Sequence, residues 1–196
     1  MPKVSDEHRA AQRQRIQDAA IAAIQRKGLA STTMSDIITE SGLSTGAIYG
    51  YWKGKDELIR DIAATVVTTR SEVLISLAEQ SPVPPPASAL TEMLRNLPHE
   101  WINSGLVLQF WGNLTTNDAL STSLLDHAAT LMERVTTYLE AWCRQEGLPL
   151  RRAARLTPAF IALIQGYVMQ ASFRLTTDLE EYTQATTALL EGQLAS

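Results

Sequence analysis

Apolar residues recur at intervals of three and four along most of this 196-residue chain, and no stretch sustains the alternation of a strand. That spacing predicts an all-α protein. Ile16, Ala19, Ala20, Ala23 and Ile24 form one face of a first helix, which stops at Lys27-Gly28, where the lysine suits the carboxyl end and the glycine supplies a left-handed cap. Thr33 caps a second helix, and Asp36 three residues later completes a capping box, so Ile37 and Ile38 face inward. Gly42 permits the sharp reversal that follows. Ser44 caps a third helix, predicted from Thr45 to Trp52, and two short helices joined by Ser-Gly-Leu-Ser, with Leu43 in the turn, make a helix-turn-helix.

Beyond Gly54 a longer helix runs from Asp56 to about Leu77 and ends where four of the five residues from Pro82 to Pro86 are proline. The remainder reads as a helical bundle, with segments near 88–103, 104–118, 119–146, 151–176 and 178–194. Pro98 is expected to split the first of these, and Pro158 to kink the fourth or mark its start. The division is therefore a helix-turn-helix domain over residues 1–55 and a helical domain over 56–196.

Cys143 is the only cysteine, which excludes an intramolecular disulfide and suits a reducing compartment. The amino terminus is polar and charged, with no apolar run behind it, and no segment has the length of a membrane span; a cytoplasmic protein is expected. The net charge of −4 hides an asymmetry. Residues 1–55 carry eight Lys or Arg against five Asp or Glu, leaving a basic head on an acidic body.

Ile48 and Trp52 lie four apart and share one stripe of the third helix. Thr45, Gly46, Ala47, Tyr49 and Tyr51 are then left facing outward. Two tyrosines among small residues suit a nucleic-acid groove: the hydroxyls reach phosphates, the small residues allow close approach, and Thr45 meets a base edge. Lys55 opens the next helix, and Thr33 and Ser35 the second, each beside free amides that favour a phosphate. The arm with Arg9, Arg13 and Arg15 adds further cations.

Residues 13–62 resemble the amino-terminal domain of TetR-type transcriptional repressors. The features that carry the resemblance are the helix ended by Gly28, the Thr-Thr pair before helix two, "SGLSTGAIY", an aromatic residue at 52, and "KDEL" opening helix four. The resemblance implies a helix-turn-helix domain followed by a TetR-like bundle. It also implies DNA contacts from Thr33, Ser35, Thr45, Gly46, Ala47, Tyr49, Tyr51 and Lys55, with Ser44 as the cap touching phosphate. Ile38 stands where alanine is usual, and Ile24 and Trp52 replace customary phenylalanines.

The implied function is a regulator that releases a palindromic double-stranded operator when a small hydrophobic effector binds. For the body, "AFIALIQGYVMQASFRL" is apolar nearly all round, which points to a homodimer surface including Phe160, Ile164, Gly166, Tyr167, Ala171 and, on the last helix, Leu189. The competing reading buries that helix within one monomer. An effector pocket is expected among Leu97, Trp101, Phe110, Trp111, His127, Met132 and Gln165. Cofactors and metals are not expected. An enzyme is the rival of another class, resting on three histidines and Cys143 without any nucleophilic or metal-ligand spacing; a helix-turn-helix dimer without an inducer is the nearer alternative.

Overall fold

A computed structural model describes residues 6–97, 102, 105–113, 118–173 and 178–194. The described residues form helices α1 (Asp6–Lys27), α2 (Met34–Ser41), α3 (Thr45–Tyr49), α4 (Lys55–Ala78), α5 (Pro86–Arg95), α6 (Leu106–Asn113), α7 (Asp118–Gln145), α8 (Arg151–Ser172) and α9 (Leu179–Leu194). The fold is all-helical, as the periodicity predicts.

Two apolar cores organise these helices. The head core unites Ile16, Ala20, Ala23 and Ile24 of α1 with Ile37, Ile48 and Trp52. It also draws in Leu58, Ile59 and Ile62 from the first two turns of α4, and Leu106 from α6. The body core begins farther along α4, at Leu74 and Leu77, so this 24-residue helix belongs to both. Val135, Tyr138, Leu139, Trp142 and Cys143 of α7 fall at the spacing of one helical face and lie buried in the body core. Val135 and Leu139 each contribute about 1.5–3 kcal/mol by leaving water.

The proline-rich segment ends one helix and starts the next. Pro86 occupies the first turn of α5, where its missing amide is no loss. The segment is also tied down: Gln145 accepts from the amide of Val83 at 2.6 Å, and the hydroxyl of Tyr138 donates to the carbonyl of Pro84 at 2.7 Å. Burial pushes the Tyr138 phenol well above its ordinary pKa.

Pro158 does not mark the start of its helix. Helix α8 runs through it from Arg151 to Ser172. Both Pro158 and Ala154 are exposed, so the carbonyl that loses its partner lies on the solvent side of the helix. Pro98 lies outside the described residues.

Candidate nucleic-acid interface

The start of α2 is fixed by its own side chains. Thr33 accepts from the amide of Asp36 at 3.3 Å, and the Asp36 carboxylate accepts in return from the amide of Thr33 at 2.9 Å. Lys27, in the last turn of α1, reaches the same carboxylate at 2.5 Å. Three donors hold the Asp36 pKa down to about 2 from an ordinary 3.8, the Lys27 ammonium contributing most, then the amide and hydroxyl of Thr33. A depressed carboxyl stabilises the fold fully above its unfolded pKa and loses that effect as it takes up a proton. Asp36→Asn is accordingly expected to lower the melting temperature at pH 7, with the gap to the parent protein closing as pH falls from about 4 to 2. Parallel thermal melts across that range measure it.

Gly42 then turns the chain at φ 64, donating its amide to the carbonyl of Ile38 at 3.2 Å. A β-carbon there would be strained and would also stand 3.3 Å from Nη2 of Arg15. Arg15 donates from Nε to the carbonyl of Ser41 at 3.0 Å, so this cation braces the turn. Ser44 caps α3 by accepting from the amide of Ala47 at 3.3 Å.

Helix α3 presents two unlike faces. Ile48 is fully buried, while Thr45, Gly46 and Tyr49 are exposed, Tyr49 at 47%, and Ala47 is half-buried. Thr33, Ser35 and Ser44 are exposed beside them. The structure therefore gathers seven of the nine residues read as DNA contacts on the two short helices and their caps.

Tyr51 and Lys55 depart from that reading. Helix α3 ends at Tyr49, earlier than the expected Trp52, and the amides of both Tyr51 and Trp52 bond the carbonyl of Ile48. The tightened turn carries the Tyr51 ring against Trp52, 5.5 Å between centroids, with its hydroxyl 3.5 Å from Gln12 of α1. Its face is turned to the head rather than outward. Lys55 is half-buried, and its ammonium donates to the carbonyls of Thr32 at 2.9 Å, Leu29 at 3.1 Å and Ala30 at 3.5 Å. Its three N–H groups are directed at the turn between α1 and α2, so in the DNA-free chain it clamps that turn.

Lys53, two residues earlier, sits in different surroundings. It is exposed, and its ammonium has no hydrogen-bond or ion-pair partner among the described residues, whereas Arg26 pairs with Glu40 and Lys27 with Asp36. It lies ahead of Gly54, between α3 and α4.

The body residues separate in the same manner. Phe160 and Tyr167 are buried in the protein's own body core, which corrects their assignment to a dimer surface. A β-carbon on Gly166 would meet the Tyr182 hydroxyl of α9 at 3.1 Å, so this glycine serves helix packing within one chain. The same hydroxyl donates to the carbonyl of Leu163 at 2.6 Å. Ile164 and Ala171 are half-buried against that core, and Leu189 is exposed.

Of the residues read as an effector pocket, Leu97 and Trp111 pack on the body core, whereas Met132 and Gln165 are exposed. His127 lines a cleft beside α1 and α4 rather than the body interior. Trp101 and the side chain of Phe110 lie outside the described residues. Among the described residues no group of three or more His, Cys, Asp or Glu is arranged to hold a metal ion.

Residues 16–62 match the family model of bacterial regulatory proteins of the tetR family. An uncharacterized HTH-type transcriptional regulator, YfiR of Bacillus subtilis (strain 168), is 36% identical over 100 residues, and the match spans 49% of each chain. Among solved structures, a TetR transcription regulator from Haloarcula marismortui ATCC 43049 superposes with a TM-score of 0.73 at 19% identity, covering 93% of this chain and 98% of that one. A transcriptional regulator of the TerR/AcrR family from Aquifex aeolicus VF5 gives 0.68 at 19% identity, over 94% and 98% of the two chains. The structures establish the shared fold. Over α1 to the start of α4, the part that holds the capped helix pair, the chain is similar to the tetR family, and it spans about half the length of the curated relative it matches.

Proposed function

We propose that this protein is a DNA-binding transcriptional regulator that acts as a homodimer and lays α3 of each subunit in the major groove of a palindromic operator. The observation that carries the reading is the two-faced α3: Ile48 is locked in the head core while Thr45, Gly46 and Tyr49 stand exposed. Thr33, Ser35 and Ser44 supply hydroxyls for the flanking phosphates, with Lys53 as the associated cation. Two such heads bind one face of the duplex when held about 34–36 Å apart.

Support for the dimer comes from the face that α8 and α9 leave uncovered. Met169 of α8, Phe173 just after it and Leu189 of α9 are exposed at 47%, 59% and 54%, with exposed Ala162, Ala185 and Ala188 on the same two helices. Large apolar side chains beside small ones give a second copy both surface to bury and room to approach.

The reading extends to repression relieved by a small apolar effector in the body, near Leu97 and Trp111. Population shift between two spacings of the heads then couples the sites, with a free energy of about 1–3 kcal/mol. No described helix is long and apolar enough to cross a membrane, in keeping with a regulator in the cytoplasm. Catalysis by Cys143 is disfavoured because burial raises its thiol pKa and withholds the thiolate.

The test uses a duplex selected from random sequence by the purified protein. Tyr49→Ala is expected to weaken binding by at least about tenfold with an unchanged sedimentation profile. Phe173→Asp is expected to shift the protein toward monomer and to weaken binding with it. Unchanged affinity in Tyr49→Ala overturns the docking, and unchanged sedimentation in Phe173→Asp overturns the dimer face. A thermal-shift screen followed by DNA release assays tests the effector.

A further inference from the structure

A cleft of about 930 Å³ opens where head and body meet, between α1, the turn after α3, α4 and α7. Its walls carry Arg9, Arg13, Arg60 and His127, with Glu57 and Asp61 as the acidic groups. It is distinct from the apolar body interior proposed above for an effector, and the present inference stands independently of that reading.

Two of the arginines are set in place by the protein. Arg13 donates from Nε to Oδ2 of Asp61 at 3.0 Å and from Nη2 to Oδ1, and its guanidinium lies 6.0 Å from the centre of the Trp52 ring. Asp61 is fixed in turn by Nε2 of Gln17 at 2.9 Å and Nε1 of Trp52 at 3.2 Å. Even so, 51% of the Arg13 side chain remains exposed. Arg60 donates from Nε to the carbonyl of Asp56 at 3.2 Å, which leaves its terminal nitrogens for the cleft. A guanidinium held from behind by a carboxylate or carbonyl keeps donors on its other edge and loses little freedom on capturing an anion.

Charge favours the same class of ligand. Arg9 lies one turn before Arg13 on α1 and has no hydrogen-bond or ion-pair partner among the described residues. Asp61 is already committed to Arg13, and Glu57 accepts from the amide of Lys53 at 2.6 Å. Three cations from two helices thus face one cleft in a chain whose net charge is −4.

We propose that this cleft binds a small organic polyanion, such as a tricarboxylate or a phosphate ester, through Arg9, Arg13 and Arg60. A ligand held there bridges α1 and α4 beside His127 of α7, so its occupancy bears on how the head is set against the body. Unlike an operator phosphate, it binds in the absence of DNA.

Calorimetric titration of the full chain with citrate and with inorganic phosphate, against sodium chloride at matched ionic strength, tests this. Saturable citrate binding is expected, weakened roughly ten- to hundredfold by Arg60→Gln or Arg9→Gln and unaltered by Arg95→Gln on α5. Arg9 and Arg95 are exposed and Arg60 is half-buried, and circular dichroism verifies that the variants fold. Absence of saturable binding by the parent protein, or equal weakening by Arg95→Gln, overturns the proposal. So does a protein that ignores citrate while Arg60→Gln lowers the salt dependence of duplex binding, since the cations would then belong to the DNA backbone.

Discussion

Trp52→Ala is expected to destabilise the protein by about 3–5 kcal/mol, the range for truncating a large buried aromatic residue. Trp52 is only 4% exposed, and it closes the head core under α3 while its Nε1 donates to Asp61. Alanine removes the ring and also takes one donor from the carboxylate that orders Arg13. At about 2–4 °C per kcal/mol for a chain of this size, the melting temperature falls by roughly 6–20 °C, readable by circular dichroism. Trp52→Phe separates the two contributions. It keeps much of the apolar volume but loses the bond to the carboxylate and part of the ring, so its cost should be about 2 kcal/mol, below that of alanine. A Trp52→Ala protein that melts like the parent would show that the head core does not depend on this ring.

Lys55→Met and Lys53→Met are expected to fail in opposite ways. Removing the Lys55 ammonium strands carbonyls at the α1–α2 turn, costing about 2–3 kcal/mol, while the salt dependence of DNA binding stays as it was. Lys53→Met should leave stability within about 0.5 kcal/mol and reduce the logarithmic salt slope by about one per subunit. Melting curves and DNA titrations from low to moderate salt distinguish them. The reverse pairing of outcomes would return the phosphate contact to Lys55. Lys55→Arg is informative as well, since a planar fork does not match three carbonyls gathered around a point charge.

What could be read from the sequence follows the distance over which each feature is determined. The Thr33–Asp36 box, the left-handed Gly28 and Gly42, and the Ser44 cap each depend on residues within a turn of one another, and all stand as expected. Lys55 could not be read in this way, because the carbonyls that hold it come from 23 to 26 residues earlier. Tyr51 was misplaced for a smaller reason: a helical wheel extended to Trp52 assigns it an outward angle, but the helix has already ended. In α8 the difficulty was apolar character on every side. Such a pattern marks the helix as buried without saying which face its own chain claims, and only the contacts with α7 and α9 assign Phe160 and Tyr167 inward and leave Met169 out.

Leu106 is fully buried in the head core although it follows Trp52 by more than fifty residues, and the neighbouring Gln109 accepts from the amide of Leu29 at 2.7 Å. The head is therefore not a detachable module ending at residue 55. Cutting there would excise Leu58, Ile59, Ile62 and Leu106 together and open a wet gap under Ile48, the residue on which the outward face of α3 is mounted. A minimal fragment able to hold that face in shape must carry α4 and α6 as well, which makes most of the bundle's early helices part of the machinery that shapes it.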